Sequence, residues 1–182
     1  MPSPFEVKIS KTLADAWRPH DWFQLDERVA RHYYRKASVA ADVRPKRVIE
    51  IGTRCGYSLV SFATACPDAR YLCIDGAADD DSLDCLAHWQ SVVERWAIDA
   101  SLVVVNSRAV RSLPPADFAH VDGDHSYAGA LHDLHLVAQV PVILADDCCN
   151  PEVRKAVEEF AREKRRRVDF MNDGLREAAV IT

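Results

Sequence analysis

Four side chains able to bind metal or move protons fall within six residues, at His120, Asp122, Asp124 and His125 in the stretch HVDGDHSY. A second acidic pair, Asp146-Asp147, follows the apolar run Val142-Ile143-Leu144-Ala145. Carboxylates gathered at one place repel unless a cation holds them. Oxygen-only ligation by Asp122, Asp146 and Asp147 suits a hard divalent ion such as Mg²⁺. The vicinal Cys148-Cys149 keeps a zinc alternative open. His125, three residues past Asp122, carries an imidazole whose ordinary pKa of ~6.5 lets it accept a proton near neutral pH. A metal-bound hydroxyl loses its proton readily, and His125 alongside could take it. The plainer alternative is a polar turn whose acids cap the chain.

A different chemistry shows in EIGTRCGYS at residues 50–58. Gly52 and Gly56 let the backbone approach a ligand, and a helix starting there aims its free N–H groups at it. The spacing is not that of the dinucleotide fingerprint G-x-G-x-x-G. Asp75, closing the run RYLCID, can accept both hydroxyl protons of a ribose, or else start a turn with Gly76. Glycine turn and acid together imply an adenosine-containing cofactor, leaving nicotinamide and S-adenosylmethionine both open.

Positioning these groups needs a scaffold. Strand-like runs at 47–51, 70–75, 101–106, 116–122 and 141–147 alternate with helical patterns at 56–66, 79–98, 127–140 and 151–166. That rhythm predicts an α/β fold, a Rossmann-like doubly wound sheet of five parallel strands. Ligands then bind beyond the carboxyl ends of the strands, where Gly52, Asp75, Asp122 and Asp146 would lie. Two last runs, 167–172 and 176–182, are joined by Asp173-Gly174-Leu175, too short for a parallel crossover, so a C-terminal antiparallel hairpin is expected. Residues 1–45 read as an N-terminal helical cap and 46–182 as the core, within one structural domain overall. Cap aromatics Trp17, Trp22, Phe23, Tyr33 and Tyr34 are available to an acceptor pocket. Asp124 should satisfy backbone donors in its turn, Asp79-Asp80-Asp81 should open a helix, and His132 and His135 should lie on a helix face.

Of the 182 residues, 48% are hydrophobic and 28% charged, with a formal net charge of -5. No basic excess favours nucleic acid, and Arg162–Arg167 reads as a solvated helix end. No apolar run approaches the ~18 residues of a membrane span. The N-terminus lacks a signal-peptide layout and six cysteines form no C-x-x-C pair. The expectation is a cytoplasmic protein without nucleic-acid or membrane partners, with an open acceptor pocket whose lid is partly missing or is supplied by a partner chain, as a homo-oligomer would allow.

From Arg47 to Phe160 the chain resembles the class I S-adenosylmethionine-dependent methyltransferases, in particular the metal-dependent small-molecule O-methyltransferases. VIEIGTRCGYS looks like the cofactor loop of catechol O-methyltransferase and its relatives, and YLCID like their ribose-binding strand. HVDGDHSY and ILADDCCNPEVRKAVEEF are closer to the macrocin-type sugar O-methyltransferases. The resemblance implies that Glu50, Gly52, Thr53, Gly56 and Ser58 surround the methionine part of the cofactor. Asp75 would hold its ribose and Ser107 border its adenine. Asp122 would serve both the cofactor and, with Asp146 and Asp147, a divalent metal, for which the resemblance implies Mg²⁺. His125 would be the general base. That family commonly ends its metal set in Asp-Asn, where this chain has Asp146-Asp147, and many members carry lysine at the base position. The implied activity is methyl transfer to a hydroxyl of a small molecule. The alternatives are a non-catalytic S-adenosylmethionine-binding module of the same fold and a nicotinamide-dependent oxidoreductase.

Overall fold

Period-two alternation of apolar residues builds the sheet. In the computed structural model, which describes residues 3–18, 24–77, 82–172 and 176–182, β1 (Arg47–Ile51), β2 (Arg70–Asp75), β3 (Ala100–Val104), β4 (Phe118–Val121) and β5 (Val142–Ala145) run parallel. β6 (Val168–Asn172) and β7 (Glu177–Ile181) form the expected antiparallel hairpin, giving the order β3-β2-β1-β4-β5-β7-β6. The linker 173–175 and the acids 79–81 lie outside the described residues, as do Trp22 and Phe23.

Strands β4 and β5 are shorter than the sequence pattern suggests. The pattern runs into Asp122 and Asp146, but the strands end at Val121 and Ala145, which pair in register. The polar residues beyond them leave the strands and are free to serve a site.

Each face of the sheet buries its own set of side chains. Ile49, Ile51, Val121, Ile143 and Ala145 pack with Leu134 of α5 (Tyr127–Leu136) and Val157 and Phe160 of α6 (Pro151–Lys164). Val48, Phe118 and Leu144, at alternate positions, face Leu59 and Phe62 of α3 (Tyr57–Ala65) and Trp89 of α4 (Ser82–Trp96). The cap consists of α1 (Pro4–Ala16) and α2 (Glu27–Val43). Ile9, Leu13, Tyr33 and Ala37 of these helices bury themselves against Tyr57 and Val60 of α3. Helix α2 thus covers the same sheet face toward which even-numbered residues of β1, β4 and β5 point.

The basic run at the end of α6 is exposed at Arg162, Lys164, Arg165 and Arg167, as expected of a solvated helix end, and departs from expectation at Arg166. Arg165 takes a left-handed conformation that stops the helix, and Arg166 turns inward to donate to the carbonyl of Val140 at 2.9 Å. It satisfies backbone at the start of β5 instead of pointing into solvent.

Candidate active site at the carboxyl ends of the strands

The chain leaves β1 through Gly52, whose φ of 83° lies in the left-handed region and whose amide donates to the carbonyl of Ile74 at 2.8 Å. A β-carbon there would lie 1.9 Å from the carbonyl oxygen of Asp122, so only glycine lets the first strand's turn meet the fourth strand's end. Arg54 is also left-handed, and its amide donates to Asp75 at 2.7 Å. The other Asp75 oxygen accepts from the amide of Ala77 at 2.9 Å. Asp75 therefore ties the glycine turn to the end of β2 while still lining the cavity. Gly56 caps α3 without a side chain, which leaves the first N–H groups of the helix uncovered by any capping side chain.

Beneath the turn runs a buried polar chain. Trp89 Nε1 donates to Thr53 Oγ1 at 3.1 Å, Thr53 donates to Glu50 at 2.7 Å, and the other Glu50 oxygen meets His120 Nδ1 at 3.0 Å. Glu50 and His120 are register partners on β1 and β4. Glu50, 1% exposed, does not line the cavity. The resemblance put it around the cofactor; its place is under the loop, holding Thr53. Of the other residues expected at the cofactor, Gly52, Thr53, Ser58, Asp75, Ser107 and Asp122 line one cavity of about 720 Å³, whereas Gly56 does not line it and packs toward the Trp89 ring.

Across that cavity lies the acidic end. Asp122 and Asp146 each follow a registered strand end, and their amides donate to Ile51 and Val121 respectively, at 2.8 and 2.9 Å. Asp146 faces α2, where Lys36 Nζ donates to Oδ2 at 2.7 Å and His32 Nε2 lies 3.1 Å from the same oxygen. Its Oδ1 accepts from the amide of Asp147 at 2.9 Å. Lys36 also donates to Ser58 at 3.1 Å and stands 3.8 Å from Asp122 Oδ2 and 4.9 Å from the centre of the Tyr33 ring. Asp147 then turns back to the cavity through a φ of 51°, a conformation that Asp and Asn tolerate better than most residues. It meets His125 Nε2 at 3.4 Å and Arg176 at 3.3 Å, while His125 lies 3.3 Å from Asp122.

These contacts set the charge states. Burial by itself would push the Asp146 carboxyl up, but the Lys36 charge and the His32 contact hold it well below the usual carboxylate range. Burial and the charges of Asp122 and Asp146 push the Asp147 carboxyl up, against Arg176 and His125. The Asp122 contact raises the His125 imidazole above its ordinary value despite partial burial.

The three aspartates of the expected metal set are thus split. Asp122 and Asp147 line the cavity with His125, whereas Asp146 is 2% exposed and bound by the cap. Among the described residues, the donor atoms of Asp122, His125 and Asp147 lie within 4.8 Å of one another, as do those of His120, Asp122 and Asp146. The three aspartates together do not fit a bare divalent ion, because the Lys36 ammonium already occupies Asp146. In the second group the buried His120 Nε2 has no hydrogen-bond partner among the described residues, but Lys36 holds Asp146 there too. In the first, Arg176 occupies Asp147.

Lys36, His32 and Arg176 are the residues that the sequence reading missed. Lys36 had a signal: it falls on the apolar face of α2, between Tyr33 and Ala37, where a cation is out of place unless paired. Asp124 does cap its turn, accepting from the amide of Ser126 at 2.9 Å and pairing with Arg108 at 2.8 Å. His132 and His135 sit on α5, the first near the carbonyl of Ser107 and the second beside Glu163.

Comparison with solved structures places the fold. The SAH-bound methyltransferase PaMTH1 from Podospora anserina superposes with a TM-score of 0.70 at 13% identity, covering 98% of this chain and 88% of its own. The SAH complex of an O-methyltransferase from Bacillus cereus gives 0.67 at 15% identity, covering 100% and 90%. The SAM complex of the O-methyltransferase TomG from Streptomyces achromogenes, involved in tomaymycin synthesis, gives 0.64 at 13% identity, covering 100% and 89%. A sequence search of curated proteins finds no significant match. A family profile described as a methyltransferase domain matches residues 49–148, from within β1 to the cysteines after β5 and more than half of the chain, so the chain belongs to the methyltransferase-domain family.

Proposed function

We propose that this methyltransferase uses S-adenosylmethionine and transfers its methyl group to a hydroxyl of a small molecule. The observation that carries the reading is the shared cavity, whose wall holds the turn from Gly52 to Cys55 and Asp75 on one side and Asp122, His125 and Asp147 on the other. Its volume, about 720 Å³, suits a cofactor-sized ligand. Gly52, Thr53, Gly56 and Ser58 would hold the methionine part, Asp75 the ribose, and Ser107 would lie beside the adenine. The cofactor, when bound, supplies an electrophilic methyl group on a sulfonium.

The chain's own residues then supply orientation and a proton acceptor. Tyr33 of the cap and Arg176 before β7 line the cavity on the acidic side, where they can orient an acceptor. With Nε2 donating to Asp122 and Asp147, the His125 ring takes the proton of the acceptor hydroxyl on Nδ1, and the two carboxylates stabilise the imidazolium that forms. The Mg²⁺ that the resemblance implied forms no part of this route, since its ligand set is occupied by protein cations. Six free cysteines, five of them buried, suit a reducing compartment, and we place the enzyme in the cytoplasm.

Calorimetric titration with S-adenosylhomocysteine in the presence of chelator tests the reading. Saturable binding, with no response to NAD⁺, is expected. An isotherm for NAD⁺ but none for S-adenosylhomocysteine would overturn it in favour of an oxidoreductase.

A further inference from the structure

We propose that the methyl-transfer centre of this chain is organised by two protein cations, Lys36 of the cap and Arg176 of the terminal hairpin, in the place of a divalent metal ion. The inference rests on the methyl-transfer reading above and deepens it. Three carboxylates converge beyond β4 and β5, the arrangement that called for a cation in the first place. Each already has one. Asp146 holds the Lys36 ammonium at 2.7 Å, Asp147 holds the Arg176 guanidinium at 3.3 Å, and Asp122 lies 3.8 Å from Lys36 and 3.3 Å from His125.

The placement of Lys36 is specific. It is 1% exposed, although a lysine is almost never fully buried unless paired, and it has a second partner in Ser58 at the start of the loop helix. His32, one turn earlier on α2, contacts the same Asp146 oxygen at 3.1 Å. Lys36 does not line the cavity, so it touches no substrate and acts as a positioning residue. It fixes Asp146 and, through the shared field, Asp122, the carboxylate that orients His125. A divalent ion on these oxygens would stand against two fixed positive charges, one of which has no water to retreat into.

The assignment explains two departures from the metal-dependent pattern together. Asp147 in place of the usual asparagine adds a negative charge, and Arg176 neutralises it. Lys36 neutralises Asp146 from a helix outside the family-matched span.

Manganese titration followed by the electron paramagnetic resonance signal of the free ion tests this, with S-adenosylhomocysteine calorimetry on the same samples. Wild-type protein should leave the free-ion signal undiminished up to about 1 mM, the weak end of protein sites for hard divalent ions. Lys36→Gln, which strips the ammonium from Asp146 and Asp122, should gain a manganese site at least tenfold tighter while still binding S-adenosylhomocysteine. Arg176→Gln should gain one by the same logic at Asp147 and serves if Lys36→Gln does not fold. One equivalent of tightly bound manganese in the wild type, lost in Asp122→Asn, would overturn the proposal. So would a folded Lys36→Gln protein with no gain. Failure of S-adenosylhomocysteine to bind anywhere would instead strike the cofactor reading, a separate result.

Discussion

The two walls of the cavity are built in opposite ways. The glycine wall is local: Gly52, Arg54 and Asp75 lie within 24 residues, and backbone amides make its key bonds. The acidic wall is tertiary. Its charges are balanced by Lys36, 110 residues before Asp146, and by Arg176, 29 residues after Asp147. A local wall can be written as a motif, because the same few residues must always perform the same turn. A tertiary wall can swap its cation source, from a bound ion to a side chain, without any change in the strand-end acids. That difference makes the second wall the variable half of the site.

The hardest break falls on the seam between the walls. Gly52→Ala puts a β-carbon 1.9 Å from the Asp122 carbonyl at a positive φ, so the first and fourth strand ends must part. We expect a loss of more than about 4 kcal/mol in urea unfolding, the range of strain and overpacking combined. A loss below about 1 kcal/mol would show that the two walls are not rigidly joined. Next comes the acidic wall alone. Lys36→Met leaves Asp146 buried without its cation and should cost about 3–5 kcal/mol. The double variant Lys36→Met, Asp146→Asn should recover much of that, since it removes the stranded charge. A double variant as unstable as the single one would show that Lys36 matters for packing and not for charge.

The same contrast decides what the sequence disclosed. The parallel sheet, the hairpin and the glycine turn were legible because period-two runs, glycine spacing and strand-end acids are local signals. The ends of β4 and β5 were overrun by a residue or two, because Asp122 and Asp146 continue the alternation after strand pairing has stopped. Strand-end spacing puts Asp122, Asp146 and Asp147 together with His125 alongside; Asp122, His125 and Asp147 do lie close to one another, but Asp146 turns into the cap. Spacing alone cannot say that α2 lies over the even-numbered face of the sheet, and only that packing brings Lys36 to Asp146. Glu50 was misplaced for a related reason. Its motif position is beside the cofactor loop, but strand alternation turns its side chain under the loop, toward His120.

On the glycine wall, under the proposed function, Asp75→Ala should weaken S-adenosylhomocysteine binding by about ten- to a hundredfold, the loss of about 1.4 to 2.8 kcal/mol in binding. Manganese behaviour should not change, because Asp75 touches nothing on the acidic side. Unaltered affinity in calorimetry would remove Asp75 from the ribose and leave it as a clamp on Arg54 and Ala77.

The smallest effect sharpens the acidic wall at its exposed edge, where His125 bridges Asp122 and Asp147. The Asp122 hydrogen bond and charge raise the His125 pKa above its ordinary value. A group whose folded pKa is raised contributes stability that is fully present below its unfolded pKa, about 6.5 for histidine, and that contribution is lost as pH rises through the folded value. Nuclear magnetic resonance titration of the His125 ring should therefore give a midpoint above 6.5 in the wild type and a lower one in Asp122→Asn. The same shift governs turnover, because only the neutral imidazole accepts a proton from the acceptor. Activity should climb with pH through the wild-type midpoint, and that climb should move to lower pH in Asp122→Asn. An unmoved midpoint would mean that Asp147 alone tunes His125, making the strand-five acid, not the strand-four acid, the partner of the base.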